Sequence, residues 1–308
     1  MANKYYCLPC WSNKIYFFMF NPHLTLNCAG QLVSLAEPII MGILNVTPDS
    51  FFDGGRYDSD AKVLEQAERM LTEGAKIIDV GAMSSRPGAE MLTAEEETKR
   101  LLPVIKSLTK TFPKAILSVD TFRAETARHC VQEGAAMIND ISGGALDDKM
   151  YETVAALHYI PYVLMHMKGT PQTMQKDPTY EDVSLEVLDF FIAKSTELVA
   201  HGVKDVILDP GFGFGKTVDH NYELLQKMHV FKMLDWPILA GLSRKSMIYK
   251  VLDVTPEEAL NGTSVLNMAA LQQGAKILRV HDVAPARETI KLFLQLDKHI
   301  PKSELISL

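Results

Sequence analysis

The chain has 308 residues, 47% of them hydrophobic and 22% charged, and carries a formal net charge of −7 at pH 7. That balance describes a globular protein with a sizeable core and excludes a disordered or fibrous chain. The acidic excess excludes a broad nucleic-acid footprint, which needs a basic face.

Residues 1–24 read as an extension of unknown role. Its apolar run IYFFMF, residues 15–20, is too short to span a membrane and lacks a small-residue cleavage site. The four cysteines, Cys7, Cys10, Cys28 and Cys130, show no disulfide spacing, so a cytoplasmic, reducing setting is expected, with no membrane. Cys7 and Cys10 have redox spacing but no β-α-β context, and read as two ordinary thiols. LNCAGQLVSL, residues 26–35, places two apolar stretches around Ala29-Gly30 and predicts a hairpin plugging a barrel floor.

Eight short apolar runs follow: IIMGILN (39–45), IIDVG (77–81), ILSVD (116–120), MIND (137–140), PYVLMH (161–166), VILD (206–209), PILAGLS (237–243) and KILRVHD (276–282). They are apolar on both faces, as strands buried in a parallel sheet are. Four of them follow a helix-like segment that ends on Gly, a natural left-handed cap. Amphipathic stretches at 60–73, 94–112, 123–133, 180–200, 219–234 and 284–297 predict helices, with Asp60, Thr93 and Asp219 as expected N-caps. A doubly wound open sheet shares these local patterns. The count of eight, with no linker between halves, favours a single-domain (β/α)8 TIM barrel over residues 25–300, followed by a tail at 301–308.

In such a barrel the chemistry sits at the C-terminal strand ends. There the sequence places Asn45, Asp79, Asp120, Asn139-Asp140, His166, Asp209, Ser243-Arg244-Lys245, Arg279 and His281. Asp120, Asn139 and Asp209 suit either a flat heterocycle with a mixed donor–acceptor edge or a magnesium ion, and each could instead cap the next helix. Arg279 and His281 alternate on the last strand and point the same way, next to the loops that usually bind phosphate in this fold. Ser246 begins a segment whose N–H groups suit an anion. TPDSFFDGGR (47–56) and MSSRPGAE (83–90) are long polar loops and candidate lids. DPGFGFGKT (209–217) imitates a nucleotide loop, but Pro210 stands where the signature needs glycine and removes an N–H. Asp209 would also repel a phosphate there. Lys216 reads as structural or lid-facing.

Seven stretches, MGILNVTPDSFFDGG, SSRPGAE, SVDTF, NDISGG, DPGFGFGK, GLSRKS and RVHDV, strongly resemble the dihydropteroate synthase family, in that family's order and across residues 26–297. The resemblance implies a (β/α)8 barrel and a Mg2+-dependent transferase of folate biosynthesis. That reaction joins 6-hydroxymethyl-7,8-dihydropterin pyrophosphate to p-aminobenzoate, giving 7,8-dihydropteroate and pyrophosphate. It also implies a homodimer formed through outer helices, and sulfonamides as competitors.

Carried over by motif, Asp120, Asn139, Asp209 and Lys245 look like the pterin pocket. Asn45, Ser85, Arg279 and His281 look like the pyrophosphate site, with Asn45 also the metal contact. Phe51, Ser85, Arg86, Pro87, Lys245 and Ser246 look like the neighbours of p-aminobenzoate. Asp120, Lys245 and the lid's Asp53 are the expected catalytic residues. One departure stands out: this chain reads GAMSSRPG (81–88) where the family usually reads GGESTRPG, a change that falls on the second loop, beside the expected p-aminobenzoate neighbours. Pterin-binding methyltransferases share the barrel and the pterin pocket, but they have no need of GLSRKS or of Arg279 with His281.

Overall fold

The computed structural model describes residues 24–46, 56–82, 92–170, 172–174 and 178–299. Its first element is a hairpin of β1 (Thr25–Cys28) and β2 (Gln31–Ser34), paired antiparallel with Cys28 opposite Gln31. The two-residue turn needs positive φ at both positions, and Ala29 (φ 51°) and Gly30 (φ 92°) supply it, with Gly30 N donating to Asn27 Oδ1 at 2.8 Å.

Eight parallel strands then close into a barrel: β3 (Ile39–Asn45), β4 (Ile77–Gly81), β5 (Ile116–Asp120), β6 (Met137–Asp140), β7 (Tyr162–Met165), β8 (Val206–Asp209), β9 (Ile238–Ala240) and β10 (Ala275–Val280), with β10 pairing back onto β3. The outer helices are α1 (Arg56–Glu73), α2 (Ala94–Thr111), α3 (Ala124–Gln132), α4 (Met150–Ala156), α5 (Val183–His201), α6 (Val218–Gln226), α7 (Ser246–Leu252), α8 (Leu260–Gln272) and α9 (Val283–Asp297). The expected (β/α)8 barrel is therefore the observed fold.

Strand side chains alternate between two faces, and here the two faces have different jobs. Ile40, Ile78, Leu117, Ile138, Leu164 and Leu208 point outward and pack on the helices in the main core. Met41, Ile77, Ile116, Met137, Val163, Ile207, Leu239 and Ile277 point inward and form a separate apolar layer. Leu26, Cys28, Val33 and Leu35 of the hairpin join that layer, so the hairpin plugs the floor as expected. Two backbone donors anchor it there: Asn27 N to Asp205 Oδ2 at 3.1 Å and Ala29 N to Tyr159 O at 2.8 Å.

Helix starts follow cap chemistry. Thr93 caps α2 in a full capping box with Glu96. Two expected caps are corrected. α1 begins at Arg56, so Asp60 lies inside it, ahead of the buried positions Val63, Ala67 and Met70. α6 is capped by the Thr217 hydroxyl, which accepts from His220 N at 3.1 Å, so Asp219 is the second helical residue. The stretch expected as one helix at 219–234 also breaks after Gln226 into a 3-10 segment, Met228–Leu234.

Candidate active site

Two residues up from the apolar layer the inward positions become Asp79 on β4, Ser118 on β5, Asn139 on β6, Met165 on β7, Asp209 on β8 and Arg279 on β10, and one inward step above Ser118 stands Asp120. The same period of two sends Asp140 outward. There it accepts from Ser142 N, Gly144 N and Tyr162 Oη, which makes it a loop anchor, not a mouth residue.

Arg279 binds this layer together. Its Nε donates to Asp79 Oδ2 at 2.7 Å and its Nη2 to Asp120 Oδ2 at 2.7 Å. Burial raises the Asp120 carboxyl to about 7; Arg279 pulls the other way, and Asp79, Glu97 and Asp140 add to the rise. The guanidinium lying against Asp120 is therefore what keeps the carboxylate form accessible at neutral pH. Arg279 stays charged: burial opposes its charge, but Asp79 and Asp120 outweigh that.

Asn45 sits beside this pair. A Cβ built on Gly81 would lie 3.5 Å from Asn45 Oδ1 and 3.6 Å from Asp120 Oδ2. His281 follows the strand end. The Ser243 hydroxyl accepts from His281 N at 3.2 Å and lies 3.0 Å from His281 Nδ1. The His281 ring is thus held against Ser243 at the strand end. Arg244, at φ 56°, forks onto Asp282 through Nε at 2.9 Å and Nη2 at 2.7 Å, which clasps the end of β9 to the end of β10.

Across the mouth, Asp209 accepts from Gly211 N at 2.8 Å and Lys245 donates to Phe212 O at 2.5 Å. A Cβ on Gly241 would lie 3.6 Å from Lys245 Nζ and 3.9 Å from Asp209 Oδ2, so the two face a common space. Burial lowers Lys245 to about 8, with Asp209 opposing, and burial raises Asp209. Phe122, Ile141, Met165, Met174 and Phe214 form a small apolar cluster at these strand ends, and Lys245 Nζ stands 4.9 Å over the Phe214 ring.

The stretch at 209–217 is held from behind. Lys216 is buried, and its Nζ lies 3.0 Å from Gly211 O, 3.1 Å from Phe214 O and 3.0 Å from His166 Nδ1. Its donors are surrounded by these acceptors and by His166 O at 3.4 Å, so Lys216 is the structural residue of the loop. Burial lowers it to about 7 and lowers His166 to about 2. The glycines are required: a Cβ on Gly211 would sit 1.9 Å from His166 O, and on Gly215 2.3 Å from Lys168 O.

The structure thus brings Asn45, Asp120, Asn139, Asp209, Lys245, Arg279 and His281 to one mouth, with Ser246 starting α7 next to Lys245. None of Asp120, Asn139 and Asp209 caps a helix; Asp147 accepts from Ala124 N at the start of α3 instead. Phe51, Asp53, Ser85, Arg86 and Pro87, with the two expected lids, lie outside the described residues. Asp79 is the residue of this cluster that had no role assigned from the sequence. Its signal was a lone acid in IIDVG, two positions from Ile77 and so facing inward.

As to metal, no cluster of three or more His, Cys, Asp or Glu suited to an ion occurs among the described residues. The one neutral oxygen of Asn45 fits a hard cation that brings its other ligands with it.

Fold and site together define a (β/α)8 barrel enzyme with its chemistry at the C-terminal strand ends. The pterin binding enzyme family matches residues 41–281. The dihydropteroate synthase of Haemophilus influenzae is 43% identical over 272 residues, which cover 88% of this chain and 98% of that protein. The Yersinia pestis dihydropteroate synthase, solved in complex with a sulfonamide drug, is 39% identical with a TM-score of 0.83, covering 89% of this chain and 99% of its own. The Xanthomonas albilineans enzyme, solved with 7,8-dihydropteroate, is 37% identical with a TM-score of 0.80, covering 90% and 100%. The chain belongs to the pterin-binding enzymes and, within them, to the dihydropteroate synthase family.

Proposed function

We propose that the barrel mouth joins 6-hydroxymethyl-7,8-dihydropterin pyrophosphate to p-aminobenzoate, releasing 7,8-dihydropteroate and pyrophosphate. The observation that carries this reading is the arrangement of Asp120, Asn139 and Asp209 as acceptors on an arc closed by the donor Lys245. A dihydropterin has ring N–H and 2-amino donors along one edge and the O4 and N5 acceptors on the other, which is the complementary pattern. Met165 and Phe214 supply apolar surface for the ring faces.

The pyrophosphate leaves first in this scheme. The methylene C–O bond breaks with its electron pair going to pyrophosphate, whose charge Arg279, His281 and the Asn45 amide stabilise. Asp120, favoured as a carboxylate by Arg279, faces the pterin methylene cation, and Asp53 of the first loop is proposed to add a second carboxylate. The neutral aniline nitrogen of p-aminobenzoate then forms the C–N bond and gives up a proton. Asn45 would hold Mg2+ together with the pyrophosphate oxygens, and the ion would supply further neutralisation of the leaving charge. Ser246 and Lys245, at the start of α7, are proposed to seat the p-aminobenzoate carboxylate with Phe51, Ser85, Arg86 and Pro87. Ser85 is also proposed to reach the pyrophosphate. Sulfonamides would compete for the p-aminobenzoate seat.

A homodimer is supported by exposed apolar side chains on three neighbouring outer helices: Val251 and Leu252 on α7, Val265 on α8, and Leu292 and Leu296 on α9. A cytoplasmic setting is in keeping with Cys28 and Cys130, which are free thiols. No helix of the described residues is long and apolar enough to cross a membrane. The test is one assay: purified protein, pterin pyrophosphate, p-aminobenzoate and Mg2+, with product followed by mass. Folded protein that forms no dihydropteroate would overturn the reading.

A further inference from the structure

Asp79 touches two residues of the mouth without reaching the substrate arc itself. It is 1% exposed, and a single oxygen, Oδ2, accepts from Arg279 Nε at 2.7 Å and from Asn139 Nδ2 at 2.9 Å. Its other oxygen, Oδ1, is buried with no partner in the structure. A carboxylate can only accept, so the neighbouring amide must turn its NH2 toward it. That leaves Asn139 Oδ1 as the group turned to the mouth. Among the described residues it accepts no hydrogen bond, and it is not one of the polar atoms sealed from solvent. The order around the barrel, Asp120 on β5, Asn139 on β6 and Asp209 on β8, makes Asn139 the middle acceptor of the arc. The middle donor on the matching pterin edge is the 2-amino group.

We propose that Asp79 is a positioning residue that locks the Asn139 amide with its oxygen toward the pocket and holds Arg279 across Asp120, and that it thereby sets the preference for a 2-amino pterin. The proposal rests on the pterin reading above and goes beyond it, because it assigns the selectivity to a residue that does not touch the ligand. With Asp79 in place, a 2-oxo ring faces an acceptor with an acceptor, a buried mismatch that costs about tenfold or more in affinity. Replacing Asp79 by Asn removes the constraint. The Asn139 amide can then turn over and offer its NH2 to a 2-oxo group.

The experiment measures dissociation constants for 6-hydroxymethylpterin and its 2-oxo analogue by titration calorimetry. It uses the wild type, Asp79→Asn, and the charge-conserving exchange Asp79→Asn with Asn139→Asp. Each protein's thermal unfolding is recorded alongside. The wild type should prefer the 2-amino ring, and Asp79→Asn should lose that preference by about tenfold. The exchange should regain most of it, because position 139 then carries a carboxylate, which can only accept, beside an amide donor at position 79. An Asp79→Asn protein that weakens both ligands equally, or an exchange that restores stability but not preference, overturns the proposal. If Asp79→Asn does not fold, the exchange alone decides by its preference. Failure of the wild type to bind the 2-amino pterin at all would count against the pterin reading instead.

Discussion

Lys216 gives the most direct physical test of the site's framework. Burial brings its ammonium down to about 7 from an ordinary value of 10.5. Between those two values the unfolded chain holds a proton that the folded protein does not, so stability must rise with pH across that window. Each pH unit fully inside it contributes about 1.4 kcal/mol. From pH 7, where the folded group is half titrated, to pH 9, the gain is about 2 kcal/mol. Lys216→Met keeps the length of the side chain and removes the titration. Asp209, Lys168 and Lys245 face Lys216 electrostatically, and all three are present in both proteins. His166 is held near 2 and stays neutral throughout. Urea unfolding of both proteins at pH 7 and pH 9 gives the double difference. The wild type should gain about 2 kcal/mol on the variant between the two pH values. A difference that does not change with pH would refute a depressed Lys216. It would mean that the acceptors at Gly211, Phe214 and His166 hold the ammonium as well as water does.

Other outcomes follow from the same geometry. Gly241→Ala adds a methyl at ordinary contact distance, 3.6 Å from Lys245 Nζ, so thermal unfolding should barely move while pterin affinity falls at least tenfold, as calorimetry would show. Arg279→Met leaves Asp79 and Asp120 without their shared cation; turnover should drop by about a hundredfold or more and the fold should lose about 3–5 kcal/mol in denaturant titration. Asp120→Asn should reduce turnover far more than p-aminobenzoate affinity, and equal losses in steady-state kinetics would remove it from the reaction. Thr93→Ala breaks the α2 capping box and should cost about 1 kcal/mol with unchanged activity.

The barrel was legible because its strands are short apolar runs in which period two is visible. Ile77 and Ile78 face different cores, and the sequence alone shows the alternation. The same period predicts that Asp120, Asn139, Asp209 and Arg279 share the interior, so the mouth was legible too. What the pattern lacks is depth. Asp79 is one inward step below Gly81, and only the closed barrel shows that Arg279 and Asn139 meet on its single oxygen. Lys216 was half legible: the sequence allows a structural or a lid-facing lysine, and only the folded loop brings together the carbonyls that make it structural. The start of α1 at Arg56 and the Thr217 cap of α6 were missed for a local reason. An acid before an apolar stripe marks the stripe, and the helix itself can begin earlier.

The hairpin beneath the barrel has a kinetic consequence. With Leu26, Cys28, Val33 and Leu35 filling the lower end, the charged layer is closed from below among the described residues and is approached from the upper end. The site is a blind well. In the proposed reaction, the ligand seated against Asn139 and Asp209 lies deeper than one seated at Ser246. The deeper ligand must then enter first, and it cannot depart past an occupied doorway. Order of addition and of product release is in that sense a property of the plug, set far from any reacting atom.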